Sequence, residues 1–233
     1  MIDISLQQLL EAGCHFGHQV RRRNPKMANY IYSHQDGVHI IDLVKTKTGL
    51  DDSLKFLSET VASGGIVLWV GTKRQAQEPV KLAAEKTGMP YFVTRWPGGY
   101  FTNFPQLQKS VLRLRDLKTK KETGELKKYT KKEQLLFDRE IAKLTKLFGG
   151  VELRDKLPQV LLIVDTHREA VAVAEANLVK VPVVGLVDTN ADPTKIDYIV
   201  PSNDDAAKAI ELYVNACTEA ILEGKKKYET KSK

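Results

Sequence analysis

The sequence predicts an α/β protein that carries an inserted helical hairpin. Three observations carry this reading: short β-branched runs that do not alternate, amphipathic stretches between them, and one charged segment of purely helical periodicity. The runs Ile66 to Val70, Val160 to Val164 and Val183 to Val187 have the pattern of parallel strands buried on both faces. Tyr91 to Val93 and Tyr198 to Val200 supply two further short strands, making five. Helices are expected over 50–62, 75–87, 168–178 and 206–222; in the last, Ala209, Leu212, Tyr213, Ala216 and Ala220 recur at helical spacing. Strand and helix in alternation imply right-handed crossovers around a parallel sheet flanked by helices.

Residues 104–150 break that alternation. Leu107, Val111, Leu114 and Leu117 mark one apolar stripe, and Phe137, Ile141, Leu144 and Phe148 mark another. The two stripes are expected to face each other as an antiparallel coiled-coil hairpin. Thr123-Gly124 separates the arms, Thr130 with Glu133 reads as a capping box, and Gly149-Gly150 reads as a left-handed helix stop. Ahead of the body, residues 1–45 read as a short helix from Leu6 to Ala12, a basic segment, and a β-hairpin turning at Asp36-Gly37. The α/β body then occupies 46–103 and 151–224, and 225–233 form a Lys-rich tail expected to be mobile.

The chain has 233 residues, 42% of them hydrophobic, with 36 Lys and Arg against 29 Asp and Glu for a net charge of +7. Such a composition supports a packed core and excludes a disordered tail. Residues 105–149 hold thirteen basic and six acidic side chains, so the hairpin carries the whole excess and the remainder is balanced. A merely solvated hairpin would match Lys with Glu, whereas uncompensated cations call for phosphates or counterions. Arg21, Arg22, Arg23 and Lys26 form a second, local basic cluster. Cys14 and Cys217 cannot build a disulfide framework, and no apolar run approaches the roughly 20 residues of a membrane span. With no signal-peptide pattern at the amino terminus, a cytoplasmic protein without membrane contact is expected.

Several motifs admit chemistry. Gly71-Thr-Lys-Arg74 follows a strand and opens a helix, so Lys73 and Arg74 are phosphate candidates, although the spacing is not that of a P-loop. Arg95-Trp-Pro-Gly-Gly99 and Tyr100 to Phe104 form an aromatic loop in which Trp96 and Phe104 are expected to seal the domain and Arg95 to meet phosphate. His18, Asp188, Asp204 and Asp205 stand at loop positions where open sheets build ligand sites, and an imidazole with carboxylates suits a structural zinc. The bland reading of the acids is helix N-terminal electrostatics. Asp165-Thr-His167 ends a central strand, where polar side chains cap the next helix. No nucleophile elbow, metalloprotease helix or complete dinucleotide fingerprint is present, and no catalytic residue is assigned.

Taken together, Leu9-Leu-Glu-Ala-Gly-Cys-His-Phe-Gly-His18, Arg22-Arg-Asn-Pro-Lys-Met27, Gly71-Thr-Lys-Arg-Gln75, Arg95-Trp-Pro-Gly-Gly99, Thr102-Asn-Phe104 and Leu157-Pro-Gln-Val160 leading to Val164-Asp-Thr166 resemble the bacterial form of the second protein of the small ribosomal subunit. The resemblance runs nearly end to end and implies a flavodoxin-like sheet. It further implies a structural, non-enzymatic role in translation that requires no cofactor. The implied partners are 16S ribosomal RNA and other small-subunit proteins, including the large messenger-binding protein, with no obligate homo-oligomer. RNA contacts are expected from Arg21, Arg22, Arg23, Lys26, Lys73, Arg74, Arg95, Lys109, Arg113, Lys118, Lys120 and Lys121, positioning the protein on the phosphate backbone. The rivals are a doubly wound enzyme acting on a phosphorylated metabolite or nucleotide, which the fold alone would permit, and a free RNA-binding adaptor.

Overall fold

The computed structural model describes residues 3–153 and 155–231. It opens with α1 (Leu6–Glu11), capped by Ser5 and Gln8 in a reciprocal capping box. Three short strands follow, β1 (Phe16–Gln19), β2 (Ile31–Gln35) and β3 (Val38–Ile41), in an antiparallel sheet of order β1-β3-β2. The β2–β3 turn holds Asp36 at φ 50° and Gly37 at φ 78°, two successive left-handed residues that suit the twist of a tight hairpin. β1 was not expected: the Phe16 to Gln19 stretch is too short to show an alternating pattern, and its pairing with β3 makes it a strand.

The body alternates α2 (Leu43–Ala62), β4 (Val67–Val70), α3 (Arg74–Thr87), β5 (Tyr91–Phe92), then α4 (Phe104–Glu122) and α5 (Lys131–Phe148). It continues with β6 (Val160–Ile163), α6 (Ala170–Leu178), β7 (Val183–Val187), β8 (Tyr198–Pro201) and α7 (Ala207–Lys231). β4 to β8 form one parallel sheet in the order β5-β4-β6-β7-β8, with β4 and β6 adjacent at the point where the winding reverses. Successive strand residues serve opposite faces. Val67 and Trp69 of β4 join Leu162 of β6 in a core with α2, α3 and α7, while Leu68 and Val70 join Leu161 and Ile163 in a second core with α4 and α6. That two-sided burial is why these strands read as continuous apolar runs.

Two expectations change. The chain after Gly224 is helical through Lys231, because α7 runs on against α2: a Cβ at Gly224 would stand 2.6 Å from the Ser58 carbonyl oxygen, so glycine permits the contact that extends the helix. The remaining tail residues 232 and 233 lie outside the described residues. α5 does not end on a left-handed glycine, since Gly149 has φ −56° and the chain passes into a single 3-10 turn over Gly149–Val151. The capping box of Thr130 and Glu133 is formed.

Within the second core, one carboxylate orders the aromatic loop. Glu175 of α6 accepts the Trp96 indole N–H at 3.0 Å, the Gly99 N–H at 2.7 Å and the Phe101 N–H at 3.1 Å. Trp96, Tyr100 and Phe101 are buried there and Phe104 is half-buried, so the loop seals the body. Burial acts to raise the Glu175 pKa, but these donors, first among them Gly99 N–H, hold it below its ordinary value. A carboxyl depressed in the folded state contributes stability above the unfolded pKa, near about 4.3, and loses it as pH falls through the folded value. Glu175→Ala, which strands three donors, is therefore expected to lower the urea unfolding free energy by about 2–4 kcal/mol at pH 7. The gap between variant and parent narrows below about pH 4.

Candidate functional site

The carboxyl ends of β4, β6, β7 and β8 converge on one polar cluster, and the amino-terminal segment closes over it. The closure is sewn by backbone. His18 N–H donates to Thr189 Oγ1 at 2.9 Å, Asn24 N–H to the Thr189 carbonyl at 2.8 Å, and Asn203 N–H to the Cys14 carbonyl at 3.1 Å. Asn203 also donates its side-chain amide to the Gly13 carbonyl at 3.1 Å. A Cβ at Gly17 would lie 2.6 Å from the Thr189 methyl, so only glycine lets β1 pass this close.

Beneath that cover lie four aspartates. Asp188 and Asp204 are fully buried, Asp165 nearly so, and Asp205 is exposed. Asp165 itself holds a left-handed backbone, φ 68°, and its carboxylate accepts the Arg168 N–H at 2.8 Å, closing the turn ahead of α6 and not capping the helix as expected, since the N-cap is Glu169. Lys73 reaches across from the end of β4, its ammonium 2.6 Å from Asp204, 2.6 Å from Asp205 and 3.4 Å from Asp165. Burial opposes its charge, yet the bonds to Asp204 and Asp205 outweigh it and raise the lysine pKa. On the other side, His18 Nδ1 stands 3.0 Å from Asp188 Oδ2, off the line of a hydrogen bond, and Nε2 stands 3.4 Å from Asp205 Oδ2. Asp188 raises the imidazole pKa.

Asp204 is the unbalanced member. Its Oδ1 meets Lys73, but Oδ2 is buried and, among the described residues, has no hydrogen-bond partner. Burial first, then the charges of Asp165 and Asp188, push its pKa up to about 7. One lysine and one imidazole thus face four carboxylates, and the ligand atoms of His18, Asp188 and Asp204 lie within 4.8 Å of one another. Asp205 falls outside that trio and bonds Lys73 and His18 from the rim.

The expected phosphate contacts divide into three groups. Arg21, Arg22, Arg23, Arg74, Arg95 and Lys109 are exposed and, among the described residues, form no ion pair. Lys26 pairs with Asp192 at 2.8 Å and draws that carboxyl down to about 2; Arg113 pairs with Glu140, Lys118 with Glu152, Lys120 with Asp116 and Lys121 with Asp138. Lys73 is withdrawn from the set, because three carboxylates hold its ammonium inside the cluster. Sequence reading missed Lys73 and Asp165 as partners of these acids. For Asp165 the signal was present as a repeated triplet, Val164-Asp-Thr166 and Val187-Asp-Thr189, closing two neighbouring strands; for Lys73 the sequence held none.

The family model described as ribosomal protein S2 matches residues 9–224. The chain belongs to the ribosomal protein S2 family. It is 49% identical over 227 residues to the small ribosomal subunit protein uS2 of Roseiflexus sp. strain RS-1, covering 97% of this chain and 87% of that one. The protein of the same name from Roseiflexus castenholzii is 48% identical over 227 residues, covering 97% and 86% respectively. Membership in the S2 family sets aside the enzymatic rival, since S2 proteins are structural.

Removing the lysine ammonium from the aspartate cluster leaves buried charges opposed. Lys73→Met is expected to lower the urea unfolding free energy at pH 7 by about 3 kcal/mol. Adding Asp204→Asn to that variant recovers part of the loss, whereas a solvated lysine would change stability by less than about 0.5 kcal/mol.

Proposed function

We propose that this protein docks on the small ribosomal subunit as a near-neutral, flavodoxin-like body whose basic extensions lie on 16S ribosomal RNA. Its family makes it a structural component of the subunit, acting in translation among ribosomal RNA and ribosomal proteins in the cytoplasm and not as an enzyme. No helix among the described residues is long and apolar enough to cross a membrane. The observation that carries the docking mode is the placement of Arg21, Arg22 and Arg23: exposed, without ion pairs among the described residues, and on a segment tied by Thr189 to the sheet. Arg74, Arg95 and Lys109 extend the same role.

We read α4 and α5 as the arms of an antiparallel coiled-coil hairpin. Val111, Leu114 and Leu117 are buried along α4, Ile141 and Leu144 pack from α5, and pairing of Arg113 with Glu140 but the later Lys121 with the earlier Asp138 runs in the antiparallel sense. These exposed pairs are individually weak, on the order of 0–1 kcal/mol, so phosphates can replace the carboxylates. A protein neighbour is supported by the apolar face shared by α1, the small sheet and the start of α2, where Leu10, Tyr32 and Val44 are exposed around a hollow of about 260 Å³. We assign that face to the messenger-binding protein that the family resemblance implies.

A second reading rests on the orphaned Asp204 oxygen: His18, Asp188 and Asp204 bind a divalent cation, zinc by the chemistry of one imidazole and two carboxylates. Asp205, 3.4 Å from His18 Nε2, would accept its N–H and orient the ring from behind.

Replacing Arg21, Arg22 and Arg23 by Ala is expected to weaken binding to a 16S RNA fragment and to lower the slope of log K against log salt by about two units. An unchanged slope excludes these arginines from the interface. Equilibrium dialysis against zinc is expected to load one equivalent on the intact protein and none on His18→Ala; an intact protein that binds none contradicts the metal reading.

A further inference from the structure

A groove of about 610 Å³ lies between α2 and β8, the last strand of the parallel sheet. One wall is a flat aromatic stack, with the rings of Phe56 and Tyr198 4.0 Å apart at centroids and 14° from parallel. Around it the charge runs opposite to the protein's overall sign. Asp52 and Glu59 are exposed on α2 and, among the described residues, engage no cation, although Lys55 lies between them in sequence. Lys45, the other cation of the wall, is committed to the Asn29 carbonyl and stands 3.7 Å from Asp42. Asp197 accepts the Val183 N–H at 2.8 Å through one oxygen and adds a third carboxylate to the lining.

Aromatic faces serve two ligands, a nucleobase or a guanidinium, and the charge decides between them. A base arrives with its phosphate, which Asp52, Glu59 and Asp197 repel more than the single uncommitted Lys55 attracts. A guanidinium stacks flat on a ring and donates to carboxylates in a planar fork, satisfying both features of the groove at once.

We propose that the groove between α2 and β8 receives an arginine-bearing basic segment of a neighbouring protein, its guanidinium against the Phe56 and Tyr198 pair and its N–H groups on Asp52 and Glu59. This surface is independent of the RNA contacts of the basic extensions, and so is its test. The full chain, isotope-labelled, is titrated with a nine-residue peptide alternating arginine and glycine, with its lysine counterpart, and with hexauridylate. The arginine peptide is expected to give saturable amide shifts at Asp52, Phe56, Glu59 and Tyr198, with the lysine peptide binding at least three-fold more weakly for want of stacking. Asp52→Asn with Glu59→Gln, exposed positions whose change leaves the remaining spectrum in place, is expected to raise the Kd at least five-fold. Shifts spread over the surface without saturation, an unchanged Kd in the double variant, or saturation of the groove by hexauridylate would each overturn the proposal.

Discussion

The contact between the amino-terminal segment and the strand ends is the constraint on which the functional surface depends. Thr189 alone receives two bonds from it, through its hydroxyl and its carbonyl, and Asn203 adds two more. Without them the amino-terminal segment would keep the apolar contacts of Leu9, Cys14 and Met27 with the two cores and the Lys26 to Asp192 pair, but would lose its backbone register on the strand ends. With them, His18 is pressed onto Asp188 while Arg21 to Arg23, three residues further on, point outward from the same edge. The close approach is a steric demand on one position, Gly17, and an electrostatic one on the aspartates below.

Charge is sorted by depth. Carboxylates gather under the amino-terminal cover, where Lys73 and His18 offset only part of their charge, and cations gather outside, along α4, α5 and the basic segment. The two populations behave differently. Buried opposed charges constrain geometry, because an unpaired one costs several kcal/mol, on the order of 3–5. Exposed pairs such as Lys120 with Asp116 cost little to exchange, so the outer cations remain available to a polyanion. A body of balanced charge with exchangeable cations on its extensions is what a structural protein of a ribonucleoprotein particle requires.

The parallel sheet was legible because burial on both faces leaves an unmistakable pattern: Val160 to Ile163 and Val183 to Val187 alternate between two cores and so are apolar throughout. The Asp36-Gly37 turn and the Thr130 capping box were equally legible, being local. What escaped was non-local. β1 is a strand only because β3 accepts it, and α7 passes Gly224 only because α2 lies alongside. At the aspartate cluster the acids and His18 could be named from their loop positions, but Lys73 looked like a phosphate ligand, since nothing in Gly71-Thr-Lys-Arg74 shows that Asp204 and Asp205 wait 131 and 132 positions further on.

The central claim, that the fold pre-positions the amino-terminal basic segment before any RNA is bound, is tested most directly by hydrogen exchange on the free, full-length protein. The amides of His18, Asn24 and Asn203, which donate into the closure, are expected to exchange as slowly as those of the central strands β6 and β7. Exchange of these three at unstructured-peptide rates, with β6 and β7 still protected, would contradict it.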